Sequence, residues 1–114
     1  MNWISLESIG QINKIIERSY EVPCAIFKHS TRCSISSMAK FRLEGDWDLS
    51  NNEIEAYHLD LIAHRDISNQ IAETFSVHHE SPQILLIKNG ECIYDSSHLD
   101  ITMEELKEGL TAKW

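Results

Sequence analysis

The stretch CAIFKHSTRCSISSM, Cys24 to Met38, constrains the fold more than any other part of the chain. Cys24, Ala25, Ile26, Phe27 and Lys28 form a mostly apolar run entered through Pro23, which cannot donate to a β-ladder and suits the first position of a strand. His29 to Arg32 turn the chain. From Ser34 onward Ile35, Met38, Ala39 and Leu43 recur at helical spacing, which predicts an amphipathic helix. A buried strand running straight into such a helix points to an α/β chain. It also places Cys33 at or near the helix N-cap, where open backbone N–H groups and the helix dipole favour an anion. With Arg32 beside it and Lys28 and His29 close in sequence, a thiolate is favoured there, and Cys33 is a candidate nucleophile for thiol–disulfide exchange.

The other periodicities extend this pattern. Ser8 and Gln11 form a capping box ahead of Ile12, Ile15 and Ile16, which predicts a helix over residues 9–19 with its Ile stripe in the core. Glu44 to Glu55 is polar and carries Gly45 and Ser50-Asn51-Asn52, so it reads as a loop or a short second helix from Leu49, with Trp47 packed on the core. Ala56 to Ile62 alternates, with Tyr57, Leu59 and Leu61 on one face of a strand. Arg65 to Phe75 carries Ile67, Ile71, Ala72 and Phe75 at helical spacing. Ile84 to Ile87 is a continuous apolar run, as in a strand covered on both faces. Asn89-Gly90 is a hairpin signal, with Cys92-Ile93-Tyr94 as the return strand. Thr102 and Glu105 open a last helix carrying Met103, Leu106 and Leu110. The expected order is α-β-α-β-α-β-β-α. It gives a central mixed sheet of about four strands flanked by helices, the first two strands parallel and the hairpin antiparallel.

At 114 residues the chain is expected to be one domain, 1–114, with a single core. A net charge of −8 without any Lys or Arg cluster argues against a nucleic-acid partner. No apolar run approaches the roughly 18 residues of a membrane span, and MNWISLESIG lacks the basic and apolar regions of a signal peptide. Three widely spaced cysteines suit neither a disulfide framework nor a metal ribbon. His29 and Cys33 have ligand-like spacing, but no second pair accompanies them, so no metal is expected. A reducing cytoplasm is the simplest compartment for such a chain.

A strand followed by a cysteine on a helix N-terminus resembles the way thioredoxin-like proteins present their nucleophile. FSVHHESPQILLIKNGE, Phe75 to Glu91, is similar to the segment of that family that carries its cis-proline, the following strand and an Asn-Gly turn. More narrowly, FKHSTRCSIS with HHESPQ downstream resembles the YtxJ-type monothiol bacilliredoxins, small proteins linked to bacillithiol. The resemblance runs from Trp3 to Leu110 and implies a thioredoxin-like fold. Against dithiol thioredoxins, Ser36 replaces the second cysteine of C-x-x-C, Phe27 replaces a buried acid, and Ser81 stands where many have a branched aliphatic residue or Thr. Against bacilliredoxins with Cys-Pro-Ile-Ser, Ser34 replaces the proline.

The resemblance implies a monothiol thiol–disulfide oxidoreductase that removes bacillithiol, or a similar low-molecular-weight thiol, from protein mixed disulfides through Cys33. No bound cofactor is expected; the small thiol is a co-substrate, S-thiolated proteins are the clients, and the chain is expected to be a monomer. By the same implication the bond before Pro82 is cis, and Ser81 and Pro82 line the thiol-binding groove opposite Cys33. Ser36 stands either to hydrogen-bond the Cys33 sulfur or to face solvent. Thr31 and Arg32 are placed to meet the carboxylates of the small thiol, Arg being suited to bidentate pairing, and Ser34 opens the first turn beside them. Of His78 and His79 at most one faces the site, because side chains alternate in extended chain. Cys24 and Cys92, in apolar strands, are expected to be structural. Two other classes stay open. One is a glutaredoxin-like module holding an iron–sulfur cluster between two chains, and the other is a redox sensor whose Cys33 is modified without catalysis.

Overall fold

In the computed structural model, which describes residues 1–111, the run entered through Pro23 is the middle strand of the sheet. In chain order the elements are β1 (Trp3–Ser5), α1 (Gly10–Arg18), β2 (Cys24–His29), α2 (Ser34–Asp46), β3 (Glu55–Asp60), α3 (Arg65–Phe75), β4 (Gln83–Lys88), β5 (Glu91–Ser97), a 3-10 turn at His98–Asp100, and α4 (Met103–Thr111). The strands lie in the order β1-β3-β2-β4-β5. Strand β3 is parallel to both β1 and β2, and β4 is antiparallel to both β2 and β5.

The mixed, helix-flanked sheet is the one expected, with five strands instead of about four. The extra strand, β1, has three residues, too few to show a period. It is held from outside its own sequence. Trp3 is in register with Ala56, its ring centroid lies 5.7 Å from that of Phe27, and its Nε1–H donates to Glu44 at 2.6 Å. None of the helices is long and apolar enough to cross a membrane, among the described residues.

Local chemistry sets the ends of the elements. Helix α1 starts at Gly10 with half of the expected capping box: Gln11 Oε1 accepts from the Ser8 N–H at 2.9 Å, while the Ser8 side chain caps no helix N–H. Helix α2 runs to Asp46, into the stretch read as a loop from Glu44. Strand β3 stops at Asp60 rather than Ile62, because Asp60 Oδ1 accepts from the Ile62 N–H (3.1 Å) and turns the chain. Asn89 and Gly90 have φ of 53° and 80°, the two positive values a tight hairpin turn requires. The Glu105 N–H donates to Thr102 Oγ1 at 3.1 Å, as its capping box predicts.

Strand β2 divides the core. Cys24 and Ile26 face Ile12 and Ile15 of α1 and Ile67 and Ile71 of α3, whereas Ala25 and Phe27 face Ala39 and Leu43 of α2 and Met103 and Leu106 of α4. Each fully buried Ile, Leu or Phe contributes about 1.5–3 kcal/mol. Helix α2 is rotated from the face its sequence suggests: Ser36, Ala39 and Leu43 point inward, and Ile35 and Met38 are exposed together with Phe41. Ser36 takes the inward position because polar partners await it at the end of β2.

Candidate active site

Strand β2 ends at His29, and Cys33 is the N-cap of α2, with extended backbone at φ −111° and ψ 119°. The Cys33 N–H donates to Ser30 O (3.1 Å) and closes the turn, and Cys33 O accepts from the Ser37 N–H (3.1 Å) to open the helix. The first-turn N–H groups beyond it have no intrahelical acceptor. Cys33 is half-buried, and Thr31, Arg32 and Ser34 around it are exposed. Among the described residues the side chains of these three make no hydrogen bond or ion pair, so all three are open to a ligand.

Ser36 meets neither sequence expectation. It is fully buried, its Oγ lies 2.6 Å from His29 Nδ1, and it accepts from the Ser30 N–H at 3.0 Å. One hydroxyl thus ties the end of β2 to the first turn of α2 and braces the turn that carries Cys33. Burial, then the nearby Lys40 charge, pushes the His29 pKa down, which keeps its ring neutral at neutral pH. The tautomer of that neutral ring sets which of Ser36 Oγ and His29 Nδ1 donates. The His29 ring stacks 5.9 Å from Phe27 and lies 5.4 Å from His58.

The loop between α3 and β4 leads into the β4 end of the β2–β4 ladder, where Gln83 is in register with Lys28. The Ser81-Pro82 bond is cis, and Pro82 is buried. Lys28 pairs with Gln83 at the end of the β2–β4 ladder, so the chain enters β4 through Pro82 beside the point where β2 gives way to the Cys33 turn. Pro82 O accepts from the His98 N–H at 3.0 Å. The Ser81 backbone makes no hydrogen bond among the described residues, and its Oγ is buried without a partner. The two adjacent histidines alternate as expected, with His78 exposed and His79 turned inward.

Lys28 departs from its expected role. Its amine is fully buried and donates to Ser68 O at 3.2 Å, with His79 Nδ1 at 3.3 Å. Burial pushes its pKa down to about 8. Alternation along β2 sends Lys28 to α3 and His29 to α2, so the lysine does not stand over the Cys33 turn. Neither the His29–Ser36 bond nor the Lys28–His79 contact was read from the sequence. The available signal was two polar residues closing an apolar strand.

The other thiols are withdrawn. Cys24 is fully buried, and burial pushes its pKa up to about 12; Cys92 is half-buried and pushed up to about 11 by the same cause. Both belong to the face covered by α1 and α3. Among the described residues no group of three or more His, Cys, Asp or Glu could hold a metal ion.

Residues 4–106 match the family described as monothiol bacilliredoxin BrxC. The chain belongs to this family. A solved structure described as an oxidoreductase with a thioredoxin fold is 33% identical to this bacilliredoxin family member, with a TM-score of 0.80 over 93% of this chain and 91% of that one. The thioredoxin of Malassezia sympodialis (Mala s 13) is 20% identical, with a TM-score of 0.72 over 96% and 89%. That of Fasciola hepatica is 18% identical, with a TM-score of 0.68 over 94% and 95%. The last two share the fold. The protein is therefore a thioredoxin-fold thiol redox enzyme of the bacilliredoxin family.

Proposed function

We propose that this protein removes bacillithiol, or a similar low-molecular-weight thiol, from protein mixed disulfides, using Cys33 as its single reacting thiol. The observation that carries this reading is the contrast between Cys33 and Ser36. Cys33 caps a helix N-terminus on an exposed turn, while Ser36 fills the position a resolving thiol would need and is committed to His29 and Ser30.

The chemistry then has two displacements. The Cys33 thiolate attacks the small-thiol sulfur of the mixed disulfide; a new S–S bond forms, the old one breaks, and the client leaves as its thiolate. A second small-thiol thiolate attacks the sulfur now held on Cys33, releasing the small thiol's own disulfide and regenerating Cys33. Over the two displacements one disulfide is exchanged for another: the client thiolate is released, one free small thiol is consumed, and the small-thiol disulfide carries off the oxidising equivalents. No resident cofactor is required. A helix N-terminus favours the attacking anion. The unpaired Ser81 backbone offers an edge on which the bound disulfide pairs like an added strand, and Arg32 supplies a fork for a carboxylate of the small thiol. A reducing cytoplasm is the compartment in which this cycle runs, and the monomer suffices for it.

The test mixes reduced protein with a client carrying a bacillithiol mixed disulfide and follows intact mass. A parallel reaction uses the glutathione mixed disulfide, and another uses Cys33→Ala. The bacillithiol adduct is expected to move onto the wild type and not onto the variant. Faster transfer from the glutathione client would retain the mechanism and change the co-substrate. No transfer from either client would sink the catalytic reading and leave Cys33 as a modified sensor thiol.

A further inference from the structure

The loop that carries Ser81 and Pro82 is fastened beneath the site by a group that no step of the proposed cycle uses. Lys28, on the middle strand, extends its side chain to the face covered by α1 and α3 and is completely buried there. Among the described residues no carboxylate pairs with it. Its partners are a backbone carbonyl on α3, Ser68 O at 3.2 Å, and the ring of His79 in the loop, Nδ1 at 3.3 Å. Ser68 Oγ also lies 3.3 Å from the same ring nitrogen, and Ser68 is itself fully buried. Three separate segments, β2, α3 and the loop, therefore meet at one imidazole. Two residues beyond that imidazole is Ser81, and the next is the cis-bonded Pro82.

Resting on the transfer reading above, we propose that His79 is a positioning residue: held through Nδ1 by Lys28 and Ser68, it fixes the wall formed by Ser81 and Pro82 against the Cys33 turn. The contact has a defined polarity. The lysine donates, so Nδ1 must offer its lone pair, and the ring is the neutral form with its proton on Nε2. Burial, then the Lys28 charge, pushes the His79 pKa down, which favours this form. Lys28, Arg65, His78 and Glu80 are the ionisable groups that face His79; Glu80 alone favours the charged ring. Protonation of His79 at low pH turns Nδ1 into a donor facing a donor and releases the loop.

A pair of substitutions separates this role from general packing. In His79→Asn the side-chain carbonyl oxygen can accept in place of Nδ1. In His79→Leu the volume stays but the acceptor is lost. Both are assayed for small-thiol transfer from an S-thiolated client, for alkylation of Cys33 by iodoacetamide, and for amide hydrogen exchange over residues 77–83. His79→Leu is expected to raise KM for the client about tenfold, the scale of losing a hydrogen bond to a charged group. It should leave Cys33 alkylation within about twofold and speed exchange in the loop. His79→Asn is expected to recover most of both effects. Equal behaviour of the two variants in hydrogen exchange would overturn the tether. That readout stands even if wild-type protein transfers no thiol, an outcome that counts against the catalytic reading alone. Faster loop exchange in His79→Leu with unchanged KM would overturn its positioning role.

Discussion

The buried Lys28 amine makes a quantitative prediction about stability. An exposed lysine keeps its proton up to about 10.5, whereas folded Lys28, with no exposed surface, gives its proton up at about 8. Between those values the unfolded chain binds more protons than the folded one, so this residue makes stability rise with pH. Below pH 8 the cost of burying the ammonium is present in full, and above pH 10.5 it is gone. The two values correspond to about 3 kcal/mol. Other groups act with the opposite sign in the same window. Cys24, Cys92, Tyr57 and Tyr94 all have raised pKa values, so their unfolded forms ionise first and favour unfolding as pH climbs. The informative quantity is therefore the difference between wild type and Lys28→Met, in which these four cancel. Urea unfolding followed by circular dichroism between pH 7 and 10.5 measures it. The wild type should gain up to about 3 kcal/mol on the variant across that range, an urea-midpoint shift of about 1–3 M. A difference that stays flat within about 0.5 kcal/mol would show that folded Lys28 holds its proton like an exposed lysine and that its amine is not buried.

Three further outcomes follow from the packing. Iodoacetamide at neutral pH should label Cys33 alone in the native protein, read by peptide mass, because burial holds Cys24 and Cys92 as thiols; native labelling of Cys24 would contradict its place in the core. Ser36→Ala removes the acceptor of the Ser30 N–H and the partner of His29, and should cost about 1–3 kcal/mol in urea unfolding; an unchanged midpoint would mean the hydroxyl does not brace the turn. Gly90→Ala should cost at least about 1–2 kcal/mol by the same assay, since Gly90 has φ +80° and an added Cβ would stand 2.7 Å from Tyr20 Oη. A neutral result would show that the hairpin relaxes freely.

The amino-acid sequence by itself determined the order of the long elements, the hairpin turn and the place of Cys33. Helix α3 begins and ends where its Ile67–Ile71 period predicts, and Cys33 is the N-cap that the change from β2 to α2 implies. These features are local: a period of 2 or 3.6, a capping residue and an Asn-Gly pair act within a few positions of one another. Only the tertiary structure decided which way polar residues at element ends would point. Ser36 looked free to meet the sulfur or the solvent, yet the rotation of α2 on Leu43 and Ala39 buries it against His29. Lys28 read as a charge near the nucleophile, yet alternation along β2 and the cover of α3 bring it to Ser68 and His79, 40 and 51 positions away. The three-residue strand β1 exists because Trp3 reaches Phe27 and Glu44. In each case the partner is distant in sequence, and a buried polar group takes whatever partner the packed faces bring to it, because leaving it unpaired costs more than any local preference supplies.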